Sequence, residues 1–422
     1  MTRYNKEIGV LLLIFLLANF NNEVIAQNHQ PIPSDTIHLN KGESSIIPLP
    51  IIGANPTVGV LFGVALSATA MLGEYETTHM STSVSTVNYS TNNQLLAFIK
   101  TNIYTPNDRW VLLGDWRYFD SSQPTFGLGT GPQSAKLVSG SFEYKGGMFT
   151  KPITTDQMLE FKYLKLSEIV LKRLKKSVYV GLGYHLDYHY DIKDNMLKLD
   201  TIGGQQAQIT SHYAYNVYYG FNPETYSLSG VSMNFLYDSR DNAANPYRGR
   251  YALLSYRMNP TFFGSAQNSS SLWMEYRDYF SVSKKRERDI IAVWLWSDFQ
   301  ITGHRPYMDL GATGWDQFGK SARGYTQGRF RGSNIIYSEV EYRAHIWGSK
   351  KSPELLGAVV FANATTASNE AGKINLFQYI NYAYGVGLRV MLQKESRINI
   401  TIDYAWGQYG AQGIFINANE VF

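Results

Sequence analysis

The sequence predicts an all-β chain closing into a transmembrane antiparallel β-barrel of about sixteen strands. Three observations carry that prediction. Stretch after stretch alternates, with apolar side chains at every second position and Gly, Ser, Asn or charged residues between them. Beyond the first twenty residues, no apolar run reaches the roughly 18 residues that a membrane-crossing helix needs. The N-terminus also has the form of an export leader.

The leader is read over residues 1–26. Arg3 and Lys6 precede the apolar run IGVLLLIFLLA at residues 8–18, and Val24-Ile25-Ala26 supplies a small residue at a cleavage point before Gln27. Residues 27–50 are polar and punctuated by Pro31, Pro33, Pro48 and Pro50, which reads as an extended periplasmic segment. The barrel is expected over residues 51–422. Its alternation starts at Thr57, where Val58, Val60, Phe62, Val64 and Leu66 oppose Gly59, Gly63, Ala65 and Ser67. It returns with Val231, Met233, Phe235 and Tyr237, then with Ile336, Val340, Tyr342 and Ile346 against Tyr337, Glu339, Glu341, Arg343 and His345. The cleanest runs are Ile380 to Val390, with Arg389 on the polar side, and Ile398 to Trp406, with Asn399, Thr401 and Asp403 opposed. Residues 290–299 are apolar on both faces, and residues 164–176 read as a strand end or a short helix.

A water-soluble sandwich also alternates, but it buries its apolar face. Here the polar faces carry rows of Gly, Ser, Asn and opposite charges, which suits a crowded wet lumen. The apolar faces carry Tyr and Trp near strand ends, as at a membrane interface. In lipid every backbone donor needs a partner, so the strands must close on themselves. About 370 residues from Ile51 onward accommodate about sixteen strands with their turns, and the alternating runs number fourteen to sixteen.

Composition excludes several functions. The 38 Lys and Arg against 34 Asp and Glu give only +4, too mild for a nucleic-acid partner. With no Cys there are no disulfides, thiolate metal sites or cysteine nucleophiles. His185, Asp187, His189 and Asp191 alternate onto one expected face, and neighbours about 7 Å apart could share a metal. A polar lumenal row is the favoured account of them, so no metal or cofactor is expected. There is no G-x-S-x-G elbow, and GLGTG at 127–131 opens no phosphate-cradling helix. An enzyme is not expected.

Three motifs carry a resemblance. Residues 238–249 read DSRDNAANPYRG, residues 323–331 read RGYTQGRFR, and the strand that follows them ends in Glu341-Tyr342-Arg343. With FGLGTG at 126–131 and the ending RINITIDYAWGQYGAQGIFI, this set resembles the barrel of the BamA/TamA family, the bacterial surface antigen family, over residues 51–422. The resemblance implies a long loop folded back into the barrel, with Arg323-Gly324-Tyr325 at its tip. It implies that Arg323 pairs with wall acids, Glu341 above all, and the alternation turns both Glu339 and Glu341 inward. The family's second acid falls on Asn363, which carries no charge, so a weaker lock resting on Glu341 is expected. Phe422, after Ile414, Ile416 and Ala418, resembles the terminal aromatic that such barrels present to the outer-membrane assembly machinery. Assembly members carry POTRA domains ahead of the barrel, and residues 27–50 are too few for one. The expectation is therefore an outer-membrane barrel without POTRA domains that aids protein insertion or export through a seam between its first and last strands. There Gly59, Gly63, Gly410 and Gly413 would weaken pairing. The alternative is a gated or plugged channel for small solutes. Expected partners are outer-membrane lipids, the assembly machinery through the C-terminal strand, and other barrel or periplasmic proteins.

Overall fold

The computed structural model describes residues 40–131, 143–144, 148–149, 156–199, 208–242, 245–283, 286–317, 319–349, 354–370, 373–393 and 397–422. The leader reading, and the stretch 27–39 of the polar segment after it, lie outside the described residues. Sixteen strands form one closed antiparallel barrel. Numbered along the wall, they are β1 (Ser44–Asn55), β2 (Gly59–Ala70), β3 (Ser81–Ser90), β4 (Leu95–Tyr104), β5 (Trp110–Thr125), β6 (Gln157–Lys175), β7 (Val178–Asp194) and β8 (Tyr226–Asp238). The second half comprises β9 (Gly249–Asn259), β10 (Ser269–Ser281), β11 (Ile290–Thr302), β12 (Asn334–Trp347), β13 (Leu356–Ala367), β14 (Asn381–Gln393), β15 (Ile398–Gly407) and β16 (Gln412–Ala418). Consecutive strands pair, and β1 meets β16 to close the ring. Among the described residues no helix is long and apolar enough to cross a membrane.

Side-chain exposure follows the alternation with its sense inverted relative to a soluble protein. Phe62, Val64 and Leu66 on β2, Met233 and Phe235 on β8, and Tyr382, Tyr384, Val386 and Leu388 on β14 all point outward and are exposed. Their neighbours Asn234, Glu339, Glu341, Arg389, Thr401 and Asp403 are buried inside. The ambiguous stretch 164–176 is strand through Lys175. The doubly apolar β11 also has a physical reason. Its inward Ile290, Ala292, Trp294 and Trp296 are covered by chain that occupies the lumen.

The structure moves two expectations. The barrel starts at Ser44 rather than Ile51, so part of the presumed tether is a wall strand. Pro48 and Pro50 hid it, because proline removes a ladder donor and is tolerated mainly at edges. Gly59 and Gly63 consequently lie on the second strand and not on the seam strand. The row at 185–191 is also broken. Asp191 takes φ 51° at an irregularity in the β6–β7 ladder, which turns it outward to Lys162 at 2.7 Å while Ile192 faces inward.

Candidate functional site

The connection between β11 and β12, residues 303–333, folds into the barrel. Its two legs are zipped by a short antiparallel rung, Gly311 opposite Gly332 and Ala312 opposite Arg331. Arg331 fixes the fold of the legs: its Nη1 donates to the carbonyls of Tyr307 at 3.1 Å, Met308 at 2.8 Å and Leu310 at 3.2 Å. FGLGTG, the strap after β5, braces the loop from the other side. The Gly129 amide donates to the Arg331 carbonyl at 2.8 Å and the Thr130 amide to Ala367 at 3.1 Å. The Arg329 guanidinium lies 4.2 Å from the Phe126 ring.

At the tip each residue of Arg323-Gly324-Tyr325 has a separate reason. Gly324 adopts φ +106°, and a Cβ there would come within 2.7 Å of the Ala383 Cβ, so only glycine lets the tip reach the wall. The Tyr325 hydroxyl donates to the Tyr382 carbonyl at 2.6 Å and accepts from the Gln408 amide at 2.9 Å, bolting the tip to β14 and the β15–β16 turn. Arg323 is 2 % exposed and meets three carboxylates. Its Nη1 donates to Asp403 at 2.6 Å, and its Nη2 donates to both Glu339 and Glu341. Its guanidinium plane lies 3.5 Å from the Phe361 ring centroid.

The expected weak lock is therefore corrected. Asn363 is at the site, but its amide donates to the Arg323 carbonyl at 3.0 Å and so positions the backbone. The charge missing there is supplied by Asp403 on β15, which the sequence reading placed inward without giving it a partner.

The cluster extends further. Arg389 joins Asp403 at 2.5 Å to Glu420 at 2.7 Å, and Arg343 holds Glu341 at 2.6 Å. Asn399 donates to Glu420 at 2.7 Å, and Lys320 in the loop donates to the Glu420 carbonyl at 2.9 Å. Three arginines, Arg323, Arg343 and Arg389, thus pair with four carboxylates, Glu339, Glu341, Asp403 and Glu420, and Lys320 adds a cation on the neighbouring backbone carbonyl. Buried charges persist when paired and hydrogen-bonded in this way.

Three members of the metal-like row, His185, Asp187 and Asp191, are held by other contacts. The His185 ring lies between the Ser167 and Ser232 hydroxyls at 2.8 and 2.7 Å. Asp187 accepts from Tyr163 at 2.6 Å and from Arg257 at 2.6 Å, and His189 stacks on Tyr163 at 4.4 Å. Among the described residues, no three His, Asp or Glu side chains converge on a metal position.

The DSRDN turn crosses the barrel mouth on the side of the chain ends. Asp241 accepts from Arg397 of the β14–β15 turn at 2.7 Å, and that guanidinium lies 4.1 Å from the Tyr247 ring.

The β1–β16 junction differs from every other strand pair. β1 pairs with β2 along its whole length, from Ser44 opposite Ala70 to Asn55 opposite Gly59. With β16 it shares a single register pair, Ala54 opposite Ile416. The Val60 amide and carbonyl both bond Thr91 on the β3 side, so odd-numbered residues of β2 face β1. Their partners in β1 are also odd-numbered, which leaves Pro48, Pro50, Ile52 and Ala54 directed at the seam. Extending the Ala54–Ile416 register would bring Pro50 opposite Glu420 and Pro48 opposite Phe422. Neither proline has a donor for that ladder. The last residues leave the wall instead. Asn419 takes φ 65°, and Glu420, Val421 and Phe422 are buried inside. Phe422 therefore does not end an alternating strand as the sequence suggested. Its ring stacks on Trp294 at 5.2 Å, and its carbonyl accepts from Arg343 at 2.9 Å.

Residues 81–415 match the model of the Omp85 superfamily domain. The chain belongs to the Omp85 superfamily. Barrels of this superfamily are bacterial outer-membrane proteins. Among solved structures, the chain is similar to BamA from Haemophilus ducreyi lacking POTRA domains 1–3. The TM-score is 0.53 at 13% identity, over 90% of this chain and 70% of that one. It is also similar to CdiB from Escherichia coli, with TM-score 0.50 at 8% identity, over 89% of this chain and 62% of that one. This Omp85 chain thus spans less than two thirds of that CdiB chain, and likenesses at such identities speak for the fold alone. A search of curated proteins finds no match.

Proposed function

We propose that this Omp85 barrel is a non-enzymatic outer-membrane component that aids insertion or export of other polypeptides through a lateral seam between β1 and β16. In this reading the Arg323 loop holds the lumen in its resting state. The observation that carries the proposal is the seam itself, with one register pair where the other wall strands are zipped along their lengths. Strand pairing is what makes a membrane barrel stable, so the interface with the fewest ladder bonds is the one that separates at least cost. Outer-membrane lipids, other barrel or periplasmic proteins, and the assembly machinery acting on the C-terminal strand are the partners this role requires. Depletion in the native host tests it: the amounts of other barrel or exported proteins in the outer membrane should fall, and unchanged amounts would refute it.

A solute channel is the competing reading. The buried cluster of Trp294, Trp296, Tyr325, Phe330 and Phe422 places side chains where a pore would run. Planar-bilayer recording separates the two: a large steady conductance raised by Arg323→Ala favours the channel, whereas a quiet wild-type protein favours the seam.

A further inference from the structure

On the outer surface of β5 to β9 the register sets one outward row, Trp110, Lys172, Val180, Phe235 and Leu254, each opposite the next. A second row beside it runs Leu182, Met233 and Tyr256. Val180 is short between longer neighbours. With Leu182, Met233, Phe235, Leu254 and Tyr256 it lines an apolar groove of about 470 Å³. That volume falls within the roughly 300–1,000 Å³ of ligand pockets. Lys172 borders the groove, and its Nζ lies 5.6 Å from the Trp110 ring centroid.

At the edge of the groove the β6–β7 hairpin turns in two residues, Lys176 and Ser177, with Ser177 at φ 62°. Lys172, Lys175 and Lys176 on this hairpin are exposed, as is Arg109 of the β4–β5 turn. The Arg109 carbonyl accepts from the Arg173 amide at 3.0 Å, which ties the two turns together. Among the described residues, none of these five cations has a carboxylate partner. Asp108, next to Arg109, is buried and bonded to His79. Glu168, the outward carboxylate on the same face of β6, accepts from Trp116 at 2.8 Å. The long connections, residues 126–156, 195–225 and 303–333, all leave the opposite end of the barrel. Outer-membrane barrels keep their short turns on the periplasmic side, so the five cations sit at the periplasmic leaflet.

We propose that this surface binds one anionic diacyl glycerophospholipid, with its phosphate among Arg109, Lys172, Lys175 and Lys176 and an acyl chain in the groove. Two complementarities select that occupant. The first is charge. The wall supplies no anion for these cations, and a bilayer surface supplies one as phosphate. The second is depth. The groove begins beside Lys172 at the turn and continues through Val180 to Leu182 into the apolar band, the path of a chain whose headgroup lies at the interface. Trp110 marks that interface and holds the lysine stem at headgroup level. The tight hairpin and the fully paired ladders of β6 to β9 present both halves of the site already formed, so little ordering is needed on binding.

The site lies away from β1 and β16 and does not depend on the proposed function. Native mass spectrometry of the full chain in detergent micelles tests it, with phosphatidylglycerol and phosphatidylcholine of identical acyl chains as probes. Phosphatidylglycerol should form a single-lipid adduct about tenfold or more above phosphatidylcholine. Lys172→Ala with Lys176→Ala should bring the two lipids within about twofold of each other. Val180→Trp fills the groove and keeps every cation, and should cut the phosphatidylglycerol adduct about fivefold or more. Val386→Trp, an outward substitution on β14, should leave the adduct unchanged. Glycerol phosphate, which carries the charge without acyl chains, should not displace the lipid. Equal adducts of the two lipids in the wild type, or full retention in either site variant, overturns the site. So does equal loss in Val386→Trp, which is the behaviour of unselective surface lipid, or displacement by glycerol phosphate.

Discussion

Replacing Arg323 by alanine removes the one guanidinium shared by Glu339, Glu341 and Asp403. All three carboxylates are buried, and their remaining cations are Arg343 on Glu341 and Arg389 on Asp403. Glu339 would keep only the Tyr337 hydroxyl and the long 3.5 Å contact from the Asn363 amide. Stripping one partner from a buried ion pair costs about 3–5 kcal/mol, because a charge is left unpaired in a poorly solvated site. The lost stacking on Phe361 acts in the same direction. A cost of about 3 kcal/mol corresponds to more than a hundredfold in the equilibrium between docked and displaced loop. The assay is exchange of the Tyr325 and Gly328 amides, which donate to Ala322 and Thr313 in the docked loop. Their exchange should accelerate about a hundredfold or more in Arg323→Ala, while the wall amides of β2 to β4 keep their protection. Arg323→Lys should fall between, since an ammonium keeps the charge but not the planar fork or the flat stacking. Loop exchange within threefold of wild type in Arg323→Ala would refute the reasoning.

Other consequences follow from the same geometry. Gly324→Ala introduces a side chain at φ +106° and 2.7 Å from the Ala383 Cβ, so loop exchange should rise as for a loss of about 1–3 kcal/mol, and unaltered exchange would contradict the close approach. Pro48→Val with Pro50→Val restores two seam-facing donors, each worth about 0.5–1.5 kcal/mol when bonded. The introduced amides should gain exchange protection once Glu420→Gln also frees the last residues, and amides that exchange freely in that triple variant would count against the register. His79, in the β2–β3 turn, bonds the Asp108 carboxylate at 2.6 Å, which raises its pKa above the ordinary histidine value. A raised folded-state pKa contributes stability that is full below about pH 6.5 and is lost as pH rises through the folded value. The side chain is 61% exposed and solvent-screened, so the effect stays under about 1 kcal/mol. The gap in thermal stability between wild type and His79→Gln should be larger at pH 5.5 than at pH 8.5, and a pH-independent gap would refute the assignment.

The barrel was legible where lipid imposes the strictest selection. On β14 and β15, outward positions are apolar and inward ones polar almost without exception, so strand, face and membrane setting follow from one pattern. β1 was not legible because Pro48 and Pro50 resemble linker residues until it is known that their missing donors face a seam. β11 was ambiguous because Trp294 and Trp296 face chain inside the lumen rather than water. The irregularity at Asp191 left no mark on the periodicity, since one extra residue in a ladder is set by its partner strand. At the candidate site, the motif and the alternation together brought out Arg323, Glu339 and Glu341. Asp403 lies 80 residues from Arg323, and Glu420 lies 31 from Arg389, distances over which periodicity says nothing about which strands meet. A physical signal was nevertheless present. Glu339, Glu341, Arg343, Arg389 and Asp403 all alternate inward on membrane strands, where an unpaired charge is expensive, so partners among them were required.

The proposed role requires β1 and β16 to separate when the protein works. Cysteines at Ala54 and Ile416, register partners in a chain with no cysteine of its own, allow the seam to be sewn shut by oxidation. In cells that depend on the double variant, the oxidised form should fail to sustain other outer-membrane proteins and reduction should restore them. Equal support from the oxidised and reduced forms would contradict the account.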